Sequence, residues 1–277
     1  MQMIPKSEIN GRYYLKNDFM IPASEFSDEF LRKGVNVYEV LRISEGVPLF
    51  TVDHCERFAS SLQGTGINFR CSSELFNEKI NRLIRENGLI SGNIKIVYHY
   101  SESEEPFLIL YPVEHYYPGE DQYKMGVACT LLQEERPDPA LKSWRPNFKD
   151  KIMQIREEKK VYEVILVTHE GIITEGSQSN LFFIEDNKLV TALQKRILVG
   201  ITRKYVFQIC KSSGIEIVEE DFGISDLSRF QAAFLSGTSP KILPVSAIDM
   251  ATFDPGHPLL SLVMREYDKI IKKHISA

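Results

Sequence analysis

The 277-residue sequence lacks the patterns that mark most disulfide and metal sites. Its four cysteines lie far apart and form no CxxC pair, at Cys55, Cys71, Cys129 and Cys210. This spacing argues against a disulfide framework and a structural zinc site, so we expect all four thiols to be reduced. The six histidines form no HExxH pair, and we therefore expect no bound metal.

The glycine patterns of nucleotide-binding loops are also missing. Gly64 and Gly66 form a GxG sequence without the third glycine of a dinucleotide site, and they follow a helical segment, not a strand. No Walker loop is present. The sequence therefore gives no support to an NAD or ATP site.

Charge and hydropathy exclude two further classes of partner. The net charge is -5 with both signs interspersed, so no basic face for nucleic acid and no polybasic run for membrane lipid is expected. No apolar run approaches the roughly 20 residues of a membrane helix, and the N-terminal residues lack the apolar core of a signal peptide. We expect a cytoplasmic globular protein of one or two domains.

Hydrophobic periodicity predicts two α/β halves. Residues 35–41 and 47–52 form a predicted hairpin around Ser44-Glu45-Gly46, after which Asp53 is expected to cap a helix through Ser61. Further strands are predicted at 94–100, 107–113, 126–132, 179–184 and 189–191, and helices at 74–86, 147–159, 202–211 and 259–273. Turn formers at 116–121 predict a boundary between domains 1–119 and 120–277.

Three short segments predict a cofactor site. Thr174-Glu175-Gly176-Ser177 carries a carboxylate in a predicted tight turn, and a lone carboxylate can pair with a cationic ring. The loops Gly200-Ile201-Thr202-Arg203 and Ser236-Gly237-Thr238-Ser239 offer N–H groups and hydroxyls to a phosphate. Together these segments favour pyridoxal 5'-phosphate.

Five motifs in order resemble the class IV aminotransferases, the fold type IV pyridoxal phosphate enzymes. They are residues 34–42, His54 with Arg57, Thr174-Glu175-Gly176 with Ser179-Asn180, residues 197–203, and Ser236-Gly237-Thr238 ending in Pro244-Val245. The resemblance implies a small N-terminal α/β domain and a larger C-terminal α/β domain with a mixed sheet. It also implies a homodimer, with active sites between the domains and at the dimer interface.

The resemblance assigns roles to a lysine and a glutamate. Lys142 matches the lysine that forms the Schiff base, because it lies at the family's distance before Glu163 and Glu175; Lys149 and Lys151 are the other candidates. The family often has an Asn soon after this lysine, whereas here residues 143–147 intervene. Glu175 matches the acid that keeps the pyridine nitrogen protonated, although an isolated Thr-Glu-Gly is usually a surface turn.

A phosphate cradle follows from the same motifs. The expected residues are Arg57, Leu198, Gly200, Ile201, Thr202, Thr238 and Ser239. Gly200-Ile201-Thr202 opens a helical pattern whose first N–H groups would be available to an anion. Taken singly, these residues indicate only a helix N-cap and a solvated arginine.

Three residues are candidates for substrate binding. Tyr38 matches a family active-site tyrosine, although an aromatic residue in a strand usually belongs to the core. The arginine and histidine that bind the substrate carboxylate in D-amino-acid enzymes correspond to a strand that has no arginine, residues 94–100. Lys95 and His99 lie on one face of that strand, and Lys95 either meets a carboxylate or lies at a solvated edge.

The resemblance implies an aminotransferase that acts on a small amino acid and a 2-oxo acid. Two alternatives stay open at this point. An aminodeoxychorismate lyase shares the cofactor apparatus but eliminates pyruvate, and Lys95 is compatible with that reaction. A non-catalytic pyridoxal-phosphate-binding regulatory protein is the more distant alternative, because a small displacement around Lys142 would remove most of the rate.

Overall fold

The computed structural model describes residues 8–69 and 72–276. Two predictions fall on residues outside these ranges. They are the reduced state of Cys71 and the lack of a signal peptide at the N-terminus. The contacts between Cα atoms divide the chain into two compact units. The first contains the described residues up to Tyr116, the segment Leu141–Pro146 and the end of the chain from His274. The second contains Tyr117–Ala140 and Asn147–Lys273, and the domain boundary at residue 119 stays a prediction.

The first unit is built on a six-stranded antiparallel sheet. The strands are β1 (Tyr13–Lys16), β2 (Phe19–Pro22), β3 (Val35–Ser44), β4 (Val47–Pro48), β5 (Gly92–Tyr100) and β6 (Phe107–Val113). Their order is β2-β1-β6-β5-β3-β4, so β5 is a central strand and β4 covers only the last residues of β3. The short β4 leaves the first half of β3 open to another partner.

Alternation along the strands gives this sheet two different faces. One face packs on helices α1 (Thr51–Gly64) and α2 (Ser73–Asn87) through a buried apolar cluster that includes Val37, Leu41 and Ile96. The opposite face carries a second cluster, in which Val97 and Tyr111 are buried. Odd-numbered residues of β3 therefore point toward the helices.

The start of α1 differs from the prediction. The predicted strand 47–52 ends at Pro48, and the helix begins at Thr51 after Phe50, whose φ is +55°. Among the described residues no side chain caps this helix, so the predicted cap at Asp53 is wrong, since that residue lies within the first turn. The predicted helix 74–86 is confirmed as α2, and Gly88 ends it with positive φ. The structure adds an N-cap, since Ser72 accepts a hydrogen bond from the Leu75 N–H.

The second unit is built on a nine-stranded mixed sheet, in agreement with the expected fold class. The strands are β7 (Val127–Gln133), β8 (Glu163–Val167), β9 (Ile173–Gly176), β10 (Asn180–Glu185), β11 (Lys188–Thr191), β12 (Ile217–Glu219), β13 (Ala232–Gly237), β14 (Lys241–Ile248) and β15 (Ala251–Thr252). Strand β7 is parallel to both β8 and β14, and β11 is parallel to β12. The other pairs are antiparallel.

Four helices accompany this sheet, as the periodicity largely predicts. They are α3 (Glu120–Met125), α4 (Pro146–Lys159), α5 (Ile201–Ser213) and α6 (Pro258–Ile275), of which only α3 lies outside the predicted helices. A large buried cluster fills one face of the sheet, with Phe183 stacked against Phe230 at 4.3 Å between ring centroids. Ile152 of α4 packs on Val164 and Leu166, which leaves Lys151 on the exposed side of the helix.

Within the described residues, the structure adds three general findings. No helix there is long and apolar enough to span a membrane. No group of three or more histidine, cysteine, aspartate or glutamate side chains is arranged to hold a metal ion. Cys55, Cys129 and Cys210 are free thiols, and burial raises the pKa of Cys210 to about 12.

Candidate active site

The open half of β3 holds the segment that carries Lys142. The Tyr38 N–H donates to the Lys142 carbonyl at 3.0 Å, and the Trp144 N–H donates to the Asn36 carbonyl at 2.8 Å. Val37 and Ser143 form a bridge between these two bonds. The segment thus lies along the sheet edge like a short additional strand, and the lysine is fixed by backbone hydrogen bonds.

Helix α1 fixes the same segment from a second direction. The Lys142 N–H donates to Ser61 Oγ at 3.2 Å, and Leu141 packs so closely on Gly64 that an added Cβ would lie 2.3 Å from its Cδ2. The Lys142 Nζ lies 4.6 Å from the centre of the Tyr38 ring. Tyr38, which the sequence allowed as a core residue, therefore contacts the ammonium group of this lysine.

On the opposite face of β3, the Glu39 carboxylate binds Arg57 and His54 of α1. Arg57 donates from Nε and from one terminal nitrogen to the two carboxylate oxygens, each at 2.7 Å. His54 Nδ1 lies 2.8 Å from Oε2 of Glu39. The expectation that an isolated Arg57 would be solvated is thus wrong, because the bidentate ion pair fixes its guanidinium.

The protonation of this group follows from burial and charge. Burial alone would raise the pKa of Glu39, but the Arg57 charge and the hydrogen bonds from His54 and Arg57 outweigh it and hold the pKa well below its usual value. Burial lowers the pKa of His54 despite its bond to Glu39. Glu39 is therefore ionised, and His54 is neutral with its proton on Nδ1.

Lys95 lies in the interior of the sheet, and its predicted alternative at a solvated edge is wrong. It is 3% exposed on the central strand β5. Its Nζ donates to Glu8 Oε2 at 2.7 Å and lies 3.3 Å from the centre of the Trp144 ring. The ammonium group therefore has both a counter-ion and an aromatic neighbour.

His99 lies on the same face of β5 but is held by different groups. Asn36 donates its amide hydrogens to the carbonyls of Phe30 and Lys33, so its oxygen must accept from His99 Nδ1 at 2.9 Å. The ring packs against Phe107 with 4.8 Å between centroids, and burial lowers the pKa of His99. A role for His99 in substrate binding stays a prediction.

In the second unit, Glu175 lies in strand β9, so the predicted tight turn at 174–177 is wrong. Its side chain is 3% exposed, which excludes a surface turn carboxylate. The Leu198 N–H donates to both carboxylate oxygens at 3.3 and 3.2 Å, and the Asn180 amide donates at 3.2 Å. These bonds hold the carboxylate in one orientation in a buried place.

Arg136 forms an ion pair with Glu175 that the sequence analysis did not predict. Its Nε lies 2.9 Å from Oε1 of Glu175, although within the described chain this N–H has no aligned hydrogen-bond acceptor. A terminal nitrogen of Arg136 donates to the Ser177 carbonyl at 2.8 Å. Arg136 lies between Glu135 and Pro137 in a segment without hydrophobic periodicity, so no sequence pattern predicts this ion pair.

Asn180 connects Glu175 to the start of helix α5. Its amide also donates to the Leu198 carbonyl at 2.8 Å, and its oxygen accepts from the Gly200 N–H at 3.0 Å. Gly200 is the N-cap of α5, and no side chain of the described residues caps this helix. An added Cβ at Gly200 would lie 2.2 Å from the Asn180 oxygen, so the close approach requires glycine.

The turn that contains Thr238 and Ser239 follows a strand that is paired with the strand of Asn180. Asn180 of β10 is paired with Ser236 of β13, and the chain then leaves the sheet after Gly237. Ser236 and Gly237 belong to the strand, so the predicted loop is confined to residues 238–240. Asn180 is thus joined to both segments, by strand pairing to the residue two before Thr238 and by its side chain to the first residue before α5.

The side chain of Thr202 is directed elsewhere. Its hydroxyl lies 3.3 Å from the Tyr267 hydroxyl, and the residue is buried in the first turn of α5. Any contact of Thr202 with an anion would therefore come from its N–H group, as for Ile201.

Each unit carries groups with a defined binding chemistry of its own. The uncapped N-terminus of α5 and the turn at Thr238 offer N–H and hydroxyl donors to a phosphate. The buried carboxylate of Glu175 suits a cationic ring nitrogen, and Lys142 supplies an amine. Three residues absent from the predicted site, namely Glu39, Asn180 and Arg136, hold members of it in place. Glu39 binds Arg57. Asn180 binds Glu175 and the Gly200 N–H, and Arg136 pairs with Glu175. Glu39 and Asn180 lie within the matched motifs, and their positions in those motifs are the sequence signal that could have identified them.

Known proteins match this chain over most of its length. The family model described as "Amino-transferase class IV" matches residues 36–248. The D-alanine aminotransferase of Bacillus licheniformis is 27% identical over 260 residues, which covers 90% of each chain.

Solved structures share the fold. A branched-chain amino acid aminotransferase from Escherichia coli matches with a TM-score of 0.84 at 20% identity, covering 94% of this chain and 95% of that one. The enzyme of the same name from the organism abbreviated T.th., solved with pyridoxamine 5'-phosphate, matches with a TM-score of 0.84 at 22% identity and covers 96% of each chain. The predicted fold class is thereby confirmed.

Proposed function

The chain belongs to the class IV amino-transferase family, and we propose that it is a pyridoxal-phosphate-dependent aminotransferase for a small amino acid and a 2-oxo acid. The observation that carries this proposal is the contact of the buried residues Glu175 and Asn180 with Gly200, which joins a fixed carboxylate to a helix N-terminus without a side-chain cap. The carboxylate suits the ring nitrogen of this cofactor and the helix N-terminus suits its phosphate, and both lie in the second unit.

The proposal assigns the cofactor's contacts to specific residues. The phosphate is bound by the N–H groups of Ile201 and Thr202, by Thr238 and Ser239, and by Arg57. Leu198 and Gly200 contribute by orienting Glu175 and the helix start. When bound, pyridoxal phosphate accepts the amino group and the electrons that the substrate carbon releases.

Within this proposal Lys142 has two tasks. Its Nζ holds the cofactor covalently in the resting enzyme, and once released it moves a proton from and to the Cα atom of the substrate. The backbone bonds to Tyr38 and Ser61 keep the base in place during both steps. Glu175 holds a proton on the ring nitrogen, and its fixed orientation means that little reorganisation is needed.

A small amino acid is the proposed donor because the sequence relative is named for D-alanine. Both enantiomers belong in the test, since the arginine expected of D-amino-acid enzymes is absent from residues 94–100. We also propose a homodimer, which light scattering of the purified protein would test.

The covalent link gives the sharpest test of the proposed function. Borohydride reduction of the protein loaded with cofactor should leave a pyridoxyl group on Lys142, and the Lys142→Ala variant should lose turnover. Lys149→Ala and Lys151→Ala are matched controls from the neighbouring helix and should keep the activity. An adduct mapped to either control lysine by peptide mass spectrometry would contradict the assignment.

A panel of L- and D-amino acids, tested together with aminodeoxychorismate, then distinguishes transfer of the amino group from elimination of pyruvate. Conversion of the bound cofactor to its pyridoxamine form, with release of the 2-oxo acid that corresponds to the donor, indicates an aminotransferase. Pyruvate released from aminodeoxychorismate would indicate a lyase instead. A cofactor spectrum that no amine changes would indicate a binding protein without turnover.

A further inference from the structure

A buried ion pair in the first unit is not used by the proposed chemistry. Lys95 of β5 donates to Glu8 Oε2 at 2.7 Å, and the Tyr111 hydroxyl donates to the same oxygen at 3.0 Å. Glu8 is 18% exposed and Lys95 3%, so solvent screens their attraction only weakly. Burial and the Glu8 charge raise the pKa of Tyr111 well above its usual value, which keeps its hydroxyl a donor.

Three aromatic rings surround the Nζ of Lys95, and the Tyr111 ring is the most distant, with its centre at 5.9 Å. The Nζ lies 3.3 Å from the centre of the Trp144 ring and 5.4 Å from that of Tyr38, both within the range of cation–π attraction. The two rings meet edge to face at 5.3 Å. We call Glu8, Tyr38, Lys95, Tyr111 and Trp144 the Lys95 cluster.

The Lys95 cluster lies beside the proposed catalytic lysine. The Nζ of Lys142 is 4.6 Å from the same Tyr38 ring, and Trp144 follows Lys142 by two residues on the segment bound to β3. A substrate that reacts at Lys142 therefore meets the Tyr38 ring, and a side group directed toward Lys95 meets Trp144 as well.

The charge of this cluster decides which side group is accepted. The ammonium of Lys95 is already compensated by Glu8, so the cluster adds no net charge. A second carboxylate of a substrate placed at Lys95 would lie close to the Glu8 carboxylate, and such like-charge contacts in a buried place are strongly unfavourable. An uncharged apolar group would meet the aromatic rings of the cluster without this repulsion.

We propose that Glu8 is a specificity-determining residue, which neutralises Lys95 so that the enzyme selects monocarboxylic substrates with apolar side chains over dicarboxylic ones. This inference rests on the proposed function, because it assumes that Lys95 faces the substrate. Glu8 acts by exclusion, a form of discrimination that needs no added contact with the preferred substrate.

The test compares two amino-group acceptors in the full-length protein loaded with cofactor. With one donor amino acid, kcat/KM is measured for 2-oxoglutarate and for 4-methyl-2-oxopentanoate in the parent and in Glu8→Gln. The glutamine oxygen still accepts from Lys95 and Tyr111, so folding should survive. We expect the ratio of 2-oxoglutarate to 4-methyl-2-oxopentanoate to rise about tenfold or more, since one like-charge contact is removed.

Two further variants make the result specific. Glu114→Gln removes the same charge from an exposed position next to this region and should leave the ratio as in the parent. The double variant Glu8→Gln with Lys95→Met should not show the rise in this ratio, because it lacks the Lys95 ammonium that would attract the second carboxylate. A purely structural Glu8 would lower both kcat/KM values together and leave their ratio unchanged, and this result would overturn the inference.

Failure of this inference can be told apart from failure of the proposed function. If the parent transfers amino groups and the ratio does not respond to Glu8→Gln, only the role of Glu8 is wrong. If the parent fails to exchange its cofactor between the two forms with any donor, the proposed function itself is wrong. A parent that prefers 2-oxoglutarate over the apolar acceptor would also overturn the inference.

Discussion

A single carboxylate carries much of the proposed chemistry. Glu175 is buried and accepts from Leu198 and Asn180, so its orientation is set before any ligand arrives. The nearby Arg136 guanidinium stabilises the ionised form. Preorganised charges of this kind lower a barrier because they need not be reoriented during the reaction.

The Glu175→Gln variant should therefore bind the cofactor but react slowly. A neutral amide cannot keep the ring nitrogen protonated, and we expect the half-reaction with the best amino donor to slow by about 10²- to 10³-fold. Stopped-flow absorbance of the loaded enzyme measures this step. Glu170→Gln, an exposed position in the turn before β9, is the matched control. A half-reaction at the parent rate would remove Glu175 from its proposed role.

Arg57 is expected to contribute to phosphate affinity. The Arg57→Ala variant should bind pyridoxal phosphate about 10- to 100-fold more weakly, because a charge-assisted contact is lost. Equilibrium titration of the apoprotein gives the Kd. The same change leaves Glu39 buried without its main counter-ion, so a loss of stability will accompany it.

A stability control separates these two effects of Arg57. Glu39→Gln also breaks the ion pair but keeps the arginine, so it should destabilise the protein with a smaller effect on Kd. Equal losses of affinity in both variants would show that Arg57 acts only through the fold.

At the level of elements, the start of α5 depends on one close contact. Gly200→Ala would place a methyl group 2.2 Å from the Asn180 oxygen, so Asn180 must move and the helix start must shift. We expect weaker cofactor binding and a loss of about 1–3 kcal/mol in the free energy of unfolding. Urea unfolding and cofactor titration measure the two effects. Gly119→Ala, where a Cβ meets nothing within 4 Å, should leave cofactor binding unchanged.

Local patterns predicted every α-helix except α3, whereas β1, β2 and β12–β15 were not among the predicted strands. The periodicity of α4 and α5 and the caps of α2 are encoded in adjacent residues, so these helices were predictable. The start of α1 was not, because Phe50 adopts positive φ without any local signal. Thr174-Glu175-Gly176 resembles a turn by composition, yet its pairing with β8 makes it a strand.

Only those residues of the candidate site that belong to a sequence motif were predictable. Lys142 and Glu175 are predicted from their positions in a family pattern, whereas Arg136 meets Glu175 across 39 residues of chain and has no motif. Likewise, Lys95 is neutralised by Glu8, which is 87 residues away in the sequence. Pairings of this kind depend on the sheet order, which a single sequence does not specify.

For the whole molecule, the buried pair of Glu39 and His54 predicts how stability depends on pH. The pKa of His54 is lowered in the folded state, so below its ordinary value of 6.5 the unfolded chain binds a proton that the folded chain does not. The pKa of Glu39 is lowered too, and its contribution is lost as the pH falls below 4.5. Both effects reduce stability on acidification, and that of His54 begins first.

Urea unfolding between pH 7 and pH 5 should therefore show a fall in the free energy of unfolding. In His54→Gln, the free energy of unfolding should fall less between pH 7 and pH 5 than in the parent, by on the order of 1 kcal/mol. The exposed His169→Gln is the matched control and should retain the parent slope. A slope that is the same in His54→Gln and the parent would contradict the prediction.

The path of the chain around Lys142 limits how this fold can be recombined. Segment Leu141–Pro146 belongs to the first unit by its contacts, while the residues on both sides of it belong to the second. A gene fusion that joined residues up to 119 of one relative to the remainder of another would pair β3 of one parent with the Lys142 segment of the other. The bonds of Tyr38 and Trp144 run through the backbone and would tolerate such a change, but the packing of Leu141 on Gly64 would not. Chimaeras should therefore exchange residues 141–146 together with the first unit.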